Sequence, residues 1–298
     1  MLHVSLGIIV FNEEKNILNM LQSVSSQKLE RVAIDEVIVV SSGSVDKTAD
    51  LVLAYSQKDR TVSLVVQERR EGKASAINEF LSRCRNQIVI VTSGDVIFDE
   101  NTVESLLSPF LTDEGIGMSS AKPVPIDGAR DFMGFVSTLH WKLHRLLKRN
   151  GETIAFRKNL VNLIPIVVSA DEAYIEAIVQ QRGYRIGHPD NAMILNKGPK
   201  SVTEFLRQIR RHYVGHLFVR AKFSYTVSSM TIRGIVSITK ELLRCLSDNL
   251  DRIHYIVGYV LMETAGRFLG IWDFYIRKRH YSIWSIAETT KDLNEIGS

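Results

Sequence analysis

The 298-residue sequence has only two cysteines, Cys84 and Cys245, far apart and each within an apolar helical pattern. Two such residues cannot make a disulfide framework, so both read as buried free thiols, compatible with a reducing compartment. Met1-Leu2-His3 lacks the cationic start of a secretory leader. The apolar run 4–11 ends in Asn12-Glu13-Glu14 rather than at a small-residue cleavage site, so secretion is not expected. No uncharged stretch reaches the roughly 20 apolar residues of a spanning helix. The stretch 253–262, between Arg252 and Glu263, has about half that length, and no transmembrane span is expected. A glycine-rich phosphate loop is missing after the first apolar run, which argues against a P-loop or dinucleotide fold. The N-terminal part has no basic stripe with interleaved stacking aromatics, which argues against a nucleic-acid partner. No repeat or low-complexity linker divides the chain.

What is present is the composition of a globular protein. With 45% hydrophobic and 23% charged residues the chain can bury a substantial core. Its net charge of +4 suits phosphate-bearing ligands, an anionic membrane surface or nucleic acid equally, and selects none of them.

The first hundred residues alternate short β-rich runs with helical patterns, as in a parallel sheet covered on both faces. Strands are predicted at 4–11, 36–40, 61–66 and 87–92. Between them lie a helix carrying Ile17, Leu18, Leu21 and Val24, one starting near Asp46, and one at 72–84 with Ala74, Ile77, Leu81 and Cys84 on one side. Beyond Leu111 the pattern is mixed: a strand at 117–124, a helix over 130–149, a strand at 153–157 and a helix from Asp171 to Arg182. From Ser201 onward the chain reads as mostly helical. In open α/β sheets ligands lie beyond the carboxyl ends of the strands, which draws attention to Asn12, Ser41, Gln67 and Ser93.

The residues there carry chemistry, each with an ordinary structural alternative. The Phe11-Asn12-Glu13-Glu14 turn can accept hydrogen bonds from a nucleoside, but its carboxylates equally suit a helix N-terminus. Asp46 caps the next helix. Arg69, Arg70 and Lys73 around Gly72 form either a cationic pocket or a solvated cluster. Asp95 can hold Mg²⁺ or Mn²⁺ against a diphosphate, or simply sit in a turn. Asp171 and Glu172 open a helix. Gln208, Arg211 and His212 share one face of another.

Taken in order, these pieces resemble the family-2 glycosyltransferases, the group of dolichyl-phosphate mannose and cellulose synthases, over about 4–215. IIVFNEE (8–14) is similar to P-x-Y-N-E-E, VIVVSSGSVDKT (37–48) to V-V-D-D-G-S-x-D-x-T, and EGKASAIN (71–78) to G-K-x-x-A-x-N. SGD (93–95) stands at D-x-D, ADE (170–172) at the E-D acid pair, and QIRRH (208–212) at Q-x-x-R-W. The resemblance implies an α/β fold of GT-A type, with a Rossmann-like mixed sheet. It implies a catalytic domain at 1–222, with a nucleotide-binding half to about 111 and an acceptor half from 112, followed by a helical extension at 223–298.

By the same resemblance, Phe11, Asn12, Glu13 and Ser42 hold the nucleoside, and Lys73 lies by the nucleotide. Asp95 ligates Mg²⁺ or Mn²⁺, and Asp171 is the base. Gln208 and Arg211 close on the diphosphate and the acceptor channel, with His212 replacing the tryptophan. Ser41 and Ser42 stand for an aspartate pair, and Ser93 for the first D-x-D aspartate. The implied activity is inverting transfer from a nucleoside-diphosphate sugar to a hydroxyl of a glycan or lipid acceptor, in cell-envelope or glycolipid synthesis. The alternatives are a polyprenyl-phosphate acceptor and a catalytically silent nucleotide-sugar-binding protein. Near the C-terminus, Phe268, Trp272, Phe274, Tyr275, Tyr281 and Trp284 mix with Arg267, Arg277, Lys278 and Arg279. That mixture suits a bilayer interface or packing against the catalytic domain. Peripheral association with the cytoplasmic face of the membrane is expected.

Overall fold

The structure, a computed structural model, describes residues 1–126, 128–248, 250–283 and 288–291. The expected Trp284 lies outside the described residues. Four parallel strands, β1 (Leu2–Val10), β2 (Val32–Ser42), β3 (Val62–Gln67) and β4 (Ile88–Ser93), alternate with α1 (Ile17–Ser25), α2 (Thr48–Ser56) and α3 (Lys73–Arg83). Then follow β5 (Val96–Phe98), α4 (Thr102–Thr112), β6 (Ile116–Ser120), β7 (Lys122–Pro125), α5 (Phe132–Leu146) and β8 (Ile154–Arg157). The remaining elements are α6 (Asp171–Gln181), β9 (Arg185–Gly187), β10 (Met193–Asn196), α7 (Val202–Phe223), α8 (Ile232–Asp248) and α9 (Ile253–Tyr275).

Seven strands form one sheet in the order β3-β2-β1-β4-β8-β6-β9, and β5-β10-β7 form a smaller one. Strand β1 lies between β2 and β4, parallel to both. This is the topological switch point, where the connections diverge to the two sides and leave a crevice at the strands' carboxyl ends. Strand β8 enters antiparallel to β4, which makes the sheet mixed.

Because β1 is covered on both faces it is apolar along nearly its whole length. Val4, Leu6, Ile8 and Val10 face the core made with α1, α2 and α4. Ile9 faces the core made with α3 and α6, with part of α7. Full burial of each such side chain contributes about 1.5–3 kcal/mol. Gly7 lies on that second face, where a Cβ would come within 2.6 Å of the Phe80 ring. The missing side chain lets α3 lie close on the sheet, which carries Lys73, its first residue, to the crevice.

Two expectations need correction. The run 117–124 is two strands in different sheets, because the chain turns at Ala121. In α1 the buried face is Ile17, Met20, Leu21 and Val24, whereas Leu18 is 41% exposed. The buried face is set by where the helix axis crosses the sheet, and spacing alone cannot fix that. Both cysteines are buried free thiols.

A third core joins α5, the first half of α7, α8 and α9 through Phe135, Leu139, Phe205, Ile209, Tyr259 and Met262. Helix α7, about 33 Å long at 1.5 Å per residue, thus belongs to two cores. Asp273 of α9, fully buried, takes the Arg210 guanidinium of α7 and the Tyr281 hydroxyl. At the start of α7, Ser201 caps the Glu204 amide at 3.2 Å. The Glu204 carboxylate accepts from Thr289 near the C-terminus. Among the described residues no helix is long and apolar enough to cross a membrane.

Candidate active site

A cavity of about 520 Å³ opens at the carboxyl ends of β1, β2 and β4, between the N-termini of α3 and α6 and one face of α7. It gathers Phe11, Glu13, Ser42, Lys73, Asp95, Asp171, Gln208, Arg211 and His212. Nine of the ten residues to which the resemblance gives a binding, metal or catalytic role therefore share one chamber, and Asn12 is the exception. Its Oδ1 accepts from the Val45 amide at 2.9 Å and its own amide donates to Ser44 Oγ at 3.1 Å. Asn12 stitches the turn after β1 to the turn after β2, at a positive φ of 51° that asparagine tolerates better than most residues. Asp46 sits just before α2. It accepts from the Thr48 amide at 3.0 Å and from the Glu14 amide at 3.1 Å, so it serves both turns.

On the β1 side the Arg70 guanidinium lies 3.9 Å from the centroid of the Phe11 ring. This cation–π stack presents a flat wall next to the buried Ser42 hydroxyl. Glu13 is buried, accepts from Asn16 at 2.9 Å and pairs with Lys291. The same ammonium donates to the Phe11 carbonyl at 2.7 Å. Burial, followed by the charge of Asp95, raises the Glu13 pKa to about 7.

Glu152, just before β8, completes an acidic corner. Burial and then Asp95 push its pKa up to about 8, while Asn196 donates to it at 3.0 Å. The sequence reading missed this residue. Because β8 runs antiparallel to β4, its amino end reaches the crevice, and a rule that inspects carboxyl ends passes over it. Lys291 was missed for a similar reason, since nothing local ties the far end of the chain to β1.

Lys73, the residue expected beside the nucleotide, is engaged by two carboxylates. Its Nζ donates to Glu172 Oε1 at 2.6 Å and stands 3.0 Å from Asp171 Oδ2. Burial alone would lower the Lys73 pKa, but the two carboxylates outweigh it and hold the amine protonated. Asp171 is 4% exposed at the first position of α6. Burial, then Glu172, raises its pKa to about 6 against the opposing pull of Lys73. Although Lys73 is close, Asp171 Oδ2 receives no hydrogen bond in proper geometry. That oxygen retains the capacity to accept a proton.

The cationic side of the chamber comes from α7. Gly215 packs against the residues before α6, where a Cβ would fall 2.6 Å from that of Ala170. Ser169 Oγ donates to the Arg211 carbonyl at 3.2 Å. This close approach brings Arg211, one turn earlier, into the field of Asp171, Glu172, Asp95 and Glu152, while burial lowers its pKa to about 10. Arg211 remains charged at neutral pH. It donates to His212 Nε2 at 2.8 Å, which fixes that imidazole as the Nδ1–H tautomer. Burial and Arg211 keep His212 neutral.

Among the described residues no group of three metal-ligating side chains converges. Asp95 flanked by the raised carboxyls of Glu13 and Glu152 is nevertheless a site where added positive charge relieves repulsion. A divalent ion bound through one carboxylate and substrate phosphates fits that arrangement.

The chain is similar to several known proteins. The chain is 24% identical over 253 residues to poly-beta-1,6-N-acetyl-D-glucosamine synthase of Staphylococcus aureus, which covers 79% of this chain but only 60% of that protein. It is 25% identical over 242 residues to an uncharacterised protein of Methanocaldococcus jannaschii, covering 78% and 95% respectively. Among solved structures, a mannosyltransferase of Pyrobaculum calidifontis in complex with GDP-Man and Mn²⁺ superposes with a TM-score of 0.64. It is 20% identical, over 93% of this chain and 88% of that one. Glucosyl-3-phosphoglycerate synthase of Mycobacterium tuberculosis, with Mn²⁺, UDP and phosphoglyceric acid, gives 0.54 at 20% identity, over 72% and 78%. These likenesses establish the GT-A fold. Residues 5–161, more than half of the chain, match the family described as Glycosyl transferase family 2, so the chain belongs to that family and is a glycosyltransferase.

Proposed function

We propose that the chamber binds a nucleoside-diphosphate sugar and passes the sugar, with inversion, to an acceptor hydroxyl. The observation that carries this reading is the buried Asp171 carboxylate, one oxygen without a hydrogen bond, in the same cavity as Asp95 and Arg211. In this reading the nucleoside lies along Phe11, Arg70 and Ser42. The diphosphate points toward Arg211 and Gln208, and Asp95 holds Mg²⁺ or Mn²⁺ on it. The structural relatives were solved with Mn²⁺ and with GDP-Man or UDP, which supports such a donor. The metal would take up negative charge on the leaving diphosphate. Arg211 supplies a fixed positive charge to the same end. Asp171 takes the proton of the attacking hydroxyl, and Lys73 keeps that carboxylate ionised. Residues 1–222 form the catalytic domain in this reading and 223–298 the helical extension. The matched part of the staphylococcal poly-beta-1,6-N-acetyl-D-glucosamine synthase supports a glycan acceptor, and a place in cell-envelope synthesis is part of the proposal. A polyprenyl-phosphate acceptor is the second reading, favoured by the apolar C-terminal helices.

Donor binding is tested by thermal shift with UDP, GDP and CDP sugars. At about 100 Kd of ligand with Mn²⁺ the cognate nucleotide should stabilise the protein by about 2.7 kcal/mol. EDTA or Asp95→Asn should remove most of that gain. Equal shifts with Mn²⁺ and EDTA would eliminate Asp95 as a metal ligand.

The extension supports membrane-surface association. Helix α9 exposes Val257, Leu261, Phe268, Trp272 and Tyr275, while its charged Glu263, Arg267 and Asp273 are partnered inside the protein or at its margin. Helix α8 exposes Ile232, Ile235, Val236 and Leu243 beside Arg233, Lys240 and Arg244. Interfacial helices combine apolar and basic side chains in this way, and each basic residue near an anionic surface adds about 1 kcal/mol. The protein should therefore cosediment with anionic vesicles, and less with neutral ones. Indifference to both would refute this part of the reading.

A further inference from the structure

Residues that follow α9 supply one wall of the chamber, next to Phe11 and Gly72. The chain folds back after Tyr275, with the Arg279 amide donating to the Asp273 carbonyl at 3.0 Å. The Tyr281 hydroxyl donates to the buried Asp273 carboxylate, which also holds Arg210 of α7. The chain then crosses the start of α3, where a Cβ on Gly72 would collide with the Ser282 carbonyl oxygen. Further on, Thr289 anchors at the start of α7. Its hydroxyl donates to Glu204 and accepts from the Lys200 amide at 3.0 Å. Arg279, Tyr281, Ile283, Thr290 and Lys291 all line the chamber.

What holds this segment is polar. None of the described residues 277–283 and 288–291 belongs to the three apolar cores. A segment fixed by a few hydrogen bonds and ion pairs opens at a lower free energy than elements that share a core. Its last anchor is Lys291, whose ammonium donates to the Phe11 carbonyl at 2.7 Å and pairs with Glu13. The Glu13 side chain in turn packs on the turn that carries Asp95, since a Cβ on Gly94 would fall 3.1 Å from its Cγ. The ammonium therefore stands in the acidic corner of Glu13, Asp95 and Glu152, where a divalent ion would also go. Two cations held side by side in a largely buried corner repel each other strongly.

We propose that residues 288–291 form an autoinhibitory strap, in which Lys291 is a tethered cation that holds the acidic corner until a divalent ion displaces it. The position of the ammonium makes it a competitor and not a part of the finished site. It takes up Glu13 and the Phe11 carbonyl, the groups that flank Asp95 and the flat wall of the chamber. Binding of the ion and release of the strap are then one coupled equilibrium, and each weakens the other by the same factor. Release also uncovers the Phe11–Glu13 turn for a nucleoside. That last step rests on the donor reading given above, whereas the competition for the corner does not.

The test is calorimetric titration of the full chain with Mn²⁺ alone, and with Mn²⁺ together with UDP or GDP. Lys291→Met, which keeps the length of the side chain and removes its charge, should bind Mn²⁺ at least about tenfold more tightly than the parent. Lys291→Arg retains the cation and should restore the parent affinity. Thr289→Val removes the anchor on Glu204 without touching the corner, and should shift the affinity in the same direction as Lys291→Met. Adding Asp95→Asn to Lys291→Met should abolish the gain. In the parent, saturating Mn²⁺ should speed hydrogen exchange of the Lys200 and Thr289 amides, which are bonded while the strap is docked. Unchanged Mn²⁺ affinity in Lys291→Met, no Mn²⁺ binding to either protein, or amides that stay protected would overturn the strap. So would a gain that survives Asp95→Asn, which places the ion elsewhere. Weaker binding of Mn²⁺ with nucleotide to Lys291→Met would make the segment part of the donor site and overturn the proposal as well. Tighter Mn²⁺ binding by Lys291→Met, with neither nucleotide bound by any of the proteins, would remove the donor reading and leave the strap standing.

Discussion

Asp171→Asn is expected to lower transfer to a hydroxyl acceptor by roughly 10²–10⁴ while donor affinity stays nearly the same. Asparagine keeps the size of the side chain and its place at the start of α6, and Lys73 retains Glu172 at 2.6 Å. What disappears is the oxygen able to take a proton. The fold should tolerate the change because the ionised carboxylate is itself a burden. Its pKa of about 6 lies above the ordinary 3.8. Its favourable contribution is therefore complete only below about pH 4 and is lost as the pH rises through 6. The melting temperature at neutral pH should accordingly move by less than about 5 °C. The parent enzyme should lose turnover as the pH falls below about 6, and the residual rate of the variant should lack that limb. Near-normal transfer to a hydroxyl by Asp171→Asn would rule out the base assignment. The same result confined to a phosphate acceptor, which is already ionised, would shift the reading to the polyprenyl-phosphate alternative.

Lys73→Met should have the largest combined effect on stability and pH dependence. The ammonium, about one-tenth exposed, stands between two carboxylates of adjacent residues. Removing one partner of a buried ion pair costs about 3–5 kcal/mol, and the lower end applies because Glu172 is about one-fifth exposed. The deficit depends on pH in a fixed direction. In the parent the raised Lys73 pKa makes its contribution complete throughout the neutral range, with loss only at strongly alkaline pH. In the variant Asp171 loses the charge that lowers its pKa, so the folded state holds it protonated to higher pH. The variant should be least impaired near pH 5 and most impaired near pH 8. The acid limb of its activity should move above that of the parent. Melting temperatures and turnover measured from pH 5 to 8 test both statements. An equal loss of stability at both ends, or an unmoved acid limb, would mean that Lys73 does not control Asp171.

These two residues mark how far the sequence could be read. The alternation of apolar runs and helical spacing located β1 to β4 and α1 to α3, because pattern within a strand or helix is local. The buried run at 4–11 and the helix beginning at Asp171 needed no knowledge of their neighbours. Candidate residues at the carboxyl ends of parallel strands, Phe11, Ser42 and Asp95, followed from the same pattern, since direction is fixed once a sheet is parallel. The serines at 41, 42 and 93 were equally visible as departures from an acidic motif.

Other features depend on strand direction, register and packing, which link residues far apart in the chain. Glu152 enters the acidic corner only because β8 runs antiparallel to β4. Lys73 meets Glu172 across 99 positions, a pairing that no local pattern shows. Asn12, adjacent to two cavity residues, turns away because its amide oxygen is needed by Val45. The sequence by itself determined the layers, the chemical inventory and the family of this protein. Tertiary structure decided which charges face one another, because a pKa and a hydrogen bond depend on distances through space that no local pattern encodes.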